Sequence, residues 1–134
     1  MATLKISDIS IGDYISYCDR VYKVHSIDGQ GLIGASNDSY SSPHILKHID
    51  YLEPIPITAE ILEKNGFEST TNPNVFTLTH GVLQLYVSEE LDGWYILFVN
   101  FIERLCILQV IRKSYIHELQ HALRLAGIDK EITL

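Results

Sequence analysis

The stretch EPIPITAEILEKNGF, residues 53–67, is the clearest boundary in the chain. Its two prolines fix the backbone angle φ and remove N–H donors, so residues 54–57 are predicted to form an extended, semi-rigid connector. The chain then divides into a unit over residues 1–53 and a second unit over residues 58–134.

A short helix is predicted directly after this connector, near residues 58–66. Thr58 is a suitable N-cap, and Glu60 places a negative charge in the first turn. Lys64 lies in the last turn, and Gly66 stands where a left-handed C-cap belongs.

The unit before the connector consists of short β-rich runs separated by tight turns. The runs are ISIGDYISYC, RVYKVHSI and GLIGAS, and the turn DGQG precedes the third. This pattern is typical of a small meander or barrel, so we predict a β-barrel-like unit of the SH3-like kind. The segment HILKHIDYL, residues 44–52, fits a further strand or a short piece of helix.

The unit after the connector is predicted to contain an antiparallel sheet packed by helices. The predicted strands are VFTLT, VLQLYVS, WYILFV and RLCILQVI, the last at residues 104–111. Their near-continuous apolar character indicates a sheet buried on both faces or covered by a helix. A final helix is predicted near residues 114–127, with Ser114 as N-cap and Gly127 as C-cap. The fold class is therefore α+β, with two short helices on an antiparallel sheet.

Composition and charge limit the classes of function. With 46% hydrophobic and 20% charged residues, the chain is predicted to be globular. Its net charge of −7, from 10 basic and 17 acidic residues, argues against nucleic acid and anionic membranes as partners. We find neither a signal peptide nor a membrane span in the sequence, so we expect a cytoplasmic protein.

The two cysteines, Cys18 and Cys106, stand in apolar, strand-like settings. Two cysteines do not make a disulfide framework. We predict buried, reduced thiols.

The motif HELQH, residues 117–121, matches the zinc-protease pattern H-E-x-x-H. On a helix, His117 and His121 would share one face and chelate zinc, while Glu118 would act as base on the metal-bound water. The longer zinc-protease motif is absent, because Arg124 and Gly127 stand where it needs glycine and histidine. A third ligand would have to come from upstream, and the candidates are His25, His44, His48, His80 or an acidic residue.

Helical periodicity also argues against a metal site. At 100° per residue one apolar stripe contains Tyr115, Ile116, Leu119, Ala122, Leu123 and Ala126. His117, Gln120, His121 and Arg124 fall on the opposite face, which has the composition of a solvated surface. We predict that these four residues form an interaction surface and that the protein has no cofactor.

Two further features are assigned from the sequence. Trp94 opens a fully apolar run, so we predict a core residue in preference to an interface anchor. The basic side chains Arg112, Lys113 and Arg124, with the two motif histidines, would form a nucleic-acid patch, but the overall charge disfavours it.

The phrases PIPITAEILEKNGF and YIHELQHALRL resemble a family of small uncharacterised proteins carried by phages, prophages and mobile elements of anaerobic gut bacteria. Members often carry other residues at the positions of Glu118 and His121. The resemblance therefore implies that the metal motif is incidental, and it transfers no catalytic residue.

These observations favour a non-enzymatic protein-interaction module of phage or mobile-element origin. The expected partner is a protein of unknown identity, and a homo-oligomer is compatible with the sequence. The alternative is a minimal zinc-dependent hydrolase with His117 and His121 as ligands and Glu118 as base.

Overall fold

The computed structural model describes residues 4–81, 83–100 and 106–134. The chain forms two compact units, of which the first ends at Ile55 and the second begins at Pro56. Both units contain antiparallel sheets and the second contains two α-helices, which confirms the α+β class.

The first unit is a four-stranded antiparallel meander in the order β1-β2-β3-β4. Its strands are β1 (Tyr14–Tyr17), β2 (Arg20–Ile27), β3 (Leu32–Ser36) and β4 (His44–His48). Single 3-10 turns at Ile6–Asp8 and Ile49–Tyr51 flank them. The segment that fitted either a strand or a helix is therefore a strand followed by one 3-10 turn.

The core of the first unit lies on one face of this sheet, because alternate residues of β2 and β3 point into it. Tyr22 and Val24 on β2 and Ile33 and Ala35 on β3 are buried, as the period of a strand requires. The other buried members of this cluster are Leu4, Ile9, Ile15, Ile49 and Leu52.

The outer edge of β1 is covered at Ser16 by the chain just before the connector. The amides of Ser16 and Glu53 each donate to the carbonyl of the other residue at 2.9 Å. The strand order leaves β4 at the other edge of the sheet in the described part of this unit. This pairing shows an open antiparallel sheet, so closure into an SH3-like barrel stays a prediction.

The prediction of a buried thiol is wrong for Cys18, which is exposed and carries a free thiol. Cys18 and Asp19 form the two-residue turn between β1 and β2, with φ angles of 49° and 60°. Two consecutive positive φ angles define a type I′ turn, and the centre of such a turn points to solvent. The apolar letters before Cys18 belong to β1, which ends at Tyr17. The side chain of Cys106 lies outside the part of the structure that is described.

The second unit contains a five-stranded antiparallel sheet in the order β5-β6-β7-β8-β9. Its strands are β5 (Glu68–Ser69), β6 (Val75–His80), β7 (Leu83–Glu90), β8 (Gly93–Asn100) and β9 (Cys106–Ser114). The first two residues of the strand predicted at 104–111 lie outside the described residues.

The first α-helix, α1 (Ala59–Lys64), has the caps that the sequence predicts. The Thr58 hydroxyl accepts a hydrogen bond from the Ile61 amide at 3.2 Å, and Gly66 has a φ of 85°. Leu62 is fully buried, so this short helix is held by packing more than by its own propensity.

The last helix, α2 (Ile116–Leu125), begins one residue later than an N-cap at Ser114 predicts. Ser114 is not the N-cap, because it still belongs to β9 and is paired with Trp94 of β8. Tyr115 takes the N-cap position, and Gly127 follows the helix with a φ of 73°. In the described residues, neither helix has the length and apolar character needed to cross a membrane.

The segment after α2 is held against α1 by a buried asparagine. Asn65 is 2% exposed, and its amide group donates to the carbonyls of Ile61 and Thr133 at 2.7 Å each. Its side-chain oxygen accepts from the Thr133 amide, also at 2.7 Å. Ile128 and Ile132 of the same segment are buried. Residues 128–134 are therefore part of the folded second unit.

Candidate functional site

The motif histidines of α2 differ in exposure, and the predicted solvated face is wrong for His117 and Gln120. His117 is 2% exposed and Gln120 is 9% exposed, whereas Arg124 on the same side of the helix is exposed. His121 is half-buried. A helical wheel treats every turn alike, but the first turn of α2 is enclosed on more sides than the last.

The His117 ring lies between two other rings. It stacks on Tyr115 with a centroid distance of 6.2 Å and an interplanar angle of 6°. It meets His121 edge to face at 5.8 Å, and its Nδ1 atom is buried. These contacts hold the imidazole as a packed side chain at the beginning of the helix.

Glu118 has a structural role in the same turn. Its Oε1 accepts a hydrogen bond from the Tyr115 amide at 3.3 Å, which satisfies one N–H donor at the start of the helix. The same oxygen lies 4.0 Å from His117 Nε2. The motif glutamate therefore caps the helix, a role that explains its position in the sequence without a metal.

The structure brings the histidines together in pairs. His117 and His121 form one pair in the second unit, and His25 and His44 form another in the first unit at 6.1 Å. His80 is exposed at the end of β6. Among the residues described, no group of three or more His, Cys, Asp or Glu side chains is arranged to hold a metal ion.

Burial of His117 and Gln120 leaves fewer accessible side chains on the predicted interaction surface. Of His117, Gln120, His121 and Arg124, only Arg124 is exposed and only His121 is half-exposed. Arg124 Nε also donates to the Gln120 carbonyl at 3.4 Å. The side chains of Arg112 and Lys113, which would complete the basic patch, lie outside the described part of the chain.

A cleft of about 190 Å³ opens beside the N-terminus of α2, within the second unit. Its walls come from the start of this unit, the turn between β7 and β8, and the junction of β9 with α2. The lining residues are Pro56, Ile57, Asp92, Gly93, Trp94, Ser114 and Tyr115.

Backbone pairing sets the positions of these walls. Pro56 and Tyr115 form an isolated antiparallel bridge, and Trp94 is the register partner of Ser114. The tight β7–β8 turn leads into β8 at Gly93, which has a φ of 139°. The cleft is thus built by the sheet and does not depend on a long loop.

Two aromatic residues, Trp94 and Tyr115, line the cleft. Trp94 is half-buried and packs on Phe76 with a centroid distance of 6.1 Å. The Tyr95 hydroxyl donates to Asp92 Oδ2 at 2.9 Å, so the Asp92 carboxylate is held by a side chain that does not line the cleft. Trp94 is therefore neither a fully buried core residue nor an isolated surface ring.

Sequence reasoning missed this cleft because its residues are far apart in the chain. The sequence predicts a connector at residues 54–57, a core residue at Trp94 and a helix cap at Ser114. The available signal was the tryptophan after the turn LDG, since Trp and Tyr often anchor interfaces. The pairing of Pro56 with Tyr115, which brings two walls of the cleft together, has no signal in the sequence.

Comparison with known proteins gives no match to a family model, a curated protein or a solved structure.

Proposed function

We propose that this chain is a non-enzymatic protein-interaction module of phage or mobile-element origin whose partner docks at the aromatic cleft. The observation that carries the proposal is the placement of Trp94 and Tyr115 around one small cavity. Tryptophan and tyrosine are enriched among residues that dominate binding energy, and they act best from well-packed pockets.

Two further observations support an interaction role. Glu118, the general base of the zinc hypothesis, is hydrogen-bonded to the backbone of the first turn of α2. The net charge of −7 favours a protein partner over a nucleic acid, whose phosphates require basic residues. The resemblance of the PIPITAEILEKNGF and YIHELQHALRL phrases to phage and mobile-element proteins supports the origin.

The first unit adds a second part to this proposal. We propose that its four-stranded sheet closes into an SH3-like barrel. The bridge between Ser16 and Glu53 supports it, because this bridge returns the chain to the outer edge of β1.

The test of the interaction role is partner capture that depends on the cleft. The tagged chain is expressed in its native host, and stoichiometric partners are compared with those of Trp94→Ala and Leu91→Ala variants. Leu91 is the matched control, because it is exposed in the turn that precedes β8 and does not line the cleft. We expect one partner that Leu91→Ala retains and Trp94→Ala loses. Equal capture by all three proteins, or none together with hydrolysis by the purified chain, would reject the proposal.

A zinc hydrolase is the competing proposal, and the proximity of two imidazoles favours it. The rings of His117 and His121 are 5.8 Å apart, a separation compatible with two ligands of one ion. A hydrolase would also need a third ligand and a freed Glu118. Its test is zinc analysis of protein purified without added metal.

A further inference from the structure

Two exposed histidines meet on the face of the first sheet that points away from its core. His25 lies on β2 and His44 lies on β4, and β3 runs between these two strands. Their rings approach edge to face, with a centroid distance of 6.1 Å and an interplanar angle of 75°. His44 is the register partner of Ser36, which follows the buried Ala35 on β3. The sheet therefore brings together two imidazoles that are distant in the sequence.

A β-bulge and a glycine make room for this contact. The register between β2 and β3 shifts from Val24 to Ser26, so His25 is the extra residue of a bulge. A bulge redirects the side chain that it carries. A Cβ atom at Gly34 of β3 would lie 2.9 Å from Cε1 of His25 and would overlap the Ser26 hydroxyl. A side chain at position 34 would therefore occupy the space that the His25 ring fills.

Both imidazoles are accessible to a ligand. His25 and His44 are exposed, and within the described residues no hydrogen bond or ion pair engages either ring. Lys23 is the charged residue two positions before His25 on β2. Its ammonium lies 5.9 Å from the ring centroid of Tyr14 on β1, so it extends to the side of β2 that is opposite β3 and β4. The space between the two imidazoles is therefore not taken by this cation.

Two neighbouring imidazoles are a donor set for a transition-metal ion. Imidazole nitrogen suits Zn²⁺, Cu²⁺ and Ni²⁺, whereas Mg²⁺ and Ca²⁺ prefer oxygen ligands. Two rings that bind one ion through nitrogen at about 2.1 Å have centroids roughly 5–6 Å apart, depending on the angle at the metal. The observed 6.1 Å is close to the upper end of this range. Rotation of two exposed side chains supplies the small approach that a tetrahedral angle requires.

We infer that His25 and His44 form a binding site for a divalent transition-metal ion of the nickel, copper and zinc group. The imidazoles supply one nitrogen ligand each from β2 and β4. Water completes the coordination, because this face of the sheet is open to solvent. The site uses no residue of the aromatic cleft, so it does not depend on the proposed interaction function.

The test is a titration of the full chain with Ni²⁺, followed in ¹H–¹⁵N correlation spectra. Ni²⁺ that keeps several water ligands is paramagnetic and broadens nearby amide signals, so those of Gly34, Ser36 and His44 should broaden first. We expect a Kd of roughly 10 µM, because a second imidazole on the same sheet turns a weak single ligand into a chelate. At this affinity the ion is lost during purification, so the experiment adds metal.

Glutamine variants measure the chelate. His25→Gln and His44→Gln should each weaken Ni²⁺ binding by about thirtyfold or more, because a single remaining imidazole no longer chelates. The double variant should bind almost as weakly as either single one, since the two losses share one interaction. His48→Gln is the matched control on β4, because Nδ1 of His48 already accepts a hydrogen bond from the Asp50 amide at 3.2 Å. It should change the Kd by less than about twofold, and the spectra show whether each variant is folded.

Two other groups compete for the same ion. They are the His117–His121 pair of α2 and the exposed thiol of Cys18. His121→Gln and Cys18→Ser each remove one competitor and should leave the Kd within about twofold of that of the wild type. Equal losses in His25→Gln and His48→Gln, loss of tight binding in His121→Gln or Cys18→Ser, or broadening that begins in α2 would overturn the inference.

Discussion

Asn65 and Thr133 are joined by two side-chain-to-backbone hydrogen bonds of 2.7 Å each, although 68 positions separate them in the chain. The Asn65 side chain thus pairs with both the carbonyl and the amide of Thr133, as a neighbouring backbone strand would. The same side chain donates to the Ile61 carbonyl near the end of α1. Asn65 therefore links the C-terminal segment to the helix that follows the connector.

Replacement of Asn65 by alanine should lower the free energy of unfolding by about 2–4 kcal/mol, since three hydrogen bonds are lost and buried backbone groups are left unsatisfied. Urea denaturation followed by circular dichroism measures the change. Asn72→Ala is the control, because Asn72 accepts one bond from Asn74 in an exposed turn. Its effect should be below about 1 kcal/mol, and equal effects of the two variants would contradict the role of Asn65.

The two motif histidines should differ in their contribution to stability. His117→Ala removes a ring that is 2% exposed and should cost about 2–3 kcal/mol, because it leaves a cavity next to Tyr115. His121→Ala removes a half-buried ring and should cost less than about 1 kcal/mol. Thermal unfolding of both variants tests this difference. Two equally small effects would mean that both rings face solvent, as the helical wheel predicted.

Protein purified without added metal should contain far less than one zinc per chain, because Glu118 is engaged in capping and the described residues supply no third ligand. Elemental analysis of the wild type and His121→Ala measures this. Stoichiometric zinc that disappears in His121→Ala would establish the hydrolase alternative. His48→Ala, at the surface of the first unit, controls for loose binding to histidine.

The turn at Cys18 and Asp19 should gain stability when it becomes Asn-Gly. Both residues have positive φ angles, which cost roughly 1–2 kcal/mol for a residue with a Cβ atom and less for asparagine and glycine. The double variant Cys18→Asn, Asp19→Gly should therefore be more stable by about 1 kcal/mol in urea denaturation. Asp38→Gly, in a different exposed loop, is the comparison and should not stabilise. A destabilised double variant would show that the turn is not of type I′.

Local signals predicted much of the secondary structure. Thr58 and Gly66 mark α1 because capping depends on residues within one turn of the helix. The strands of the second sheet follow from β-branched and aromatic runs between turns, as at Gly93. These features depend on neighbours in the sequence, so the sequence alone reveals them.

Features that depend on distant partners were missed. His117 is buried because Tyr115 stacks on it and the first turn of α2 is enclosed, which helical periodicity cannot show. The cleft is lined by residues that are far apart in the chain, among them Pro56 and Tyr115, which pair across 59 positions. Ser114 has the composition of an N-cap, but its pairing with Trp94 keeps it in β9. In each case a tertiary contact overrides the local preference.

The bridge between Ser16 and Glu53 limits how the first unit can associate with copies of itself. An uncovered strand edge recruits further strands, and a sheet with two such edges can polymerise without end. Here the β1 edge is obstructed at Ser16, because Glu53 already pairs with that residue. A strand from another copy cannot pair along β1 past Ser16 without displacing the chain around Glu53, so this edge does not extend the sheet into a fibril.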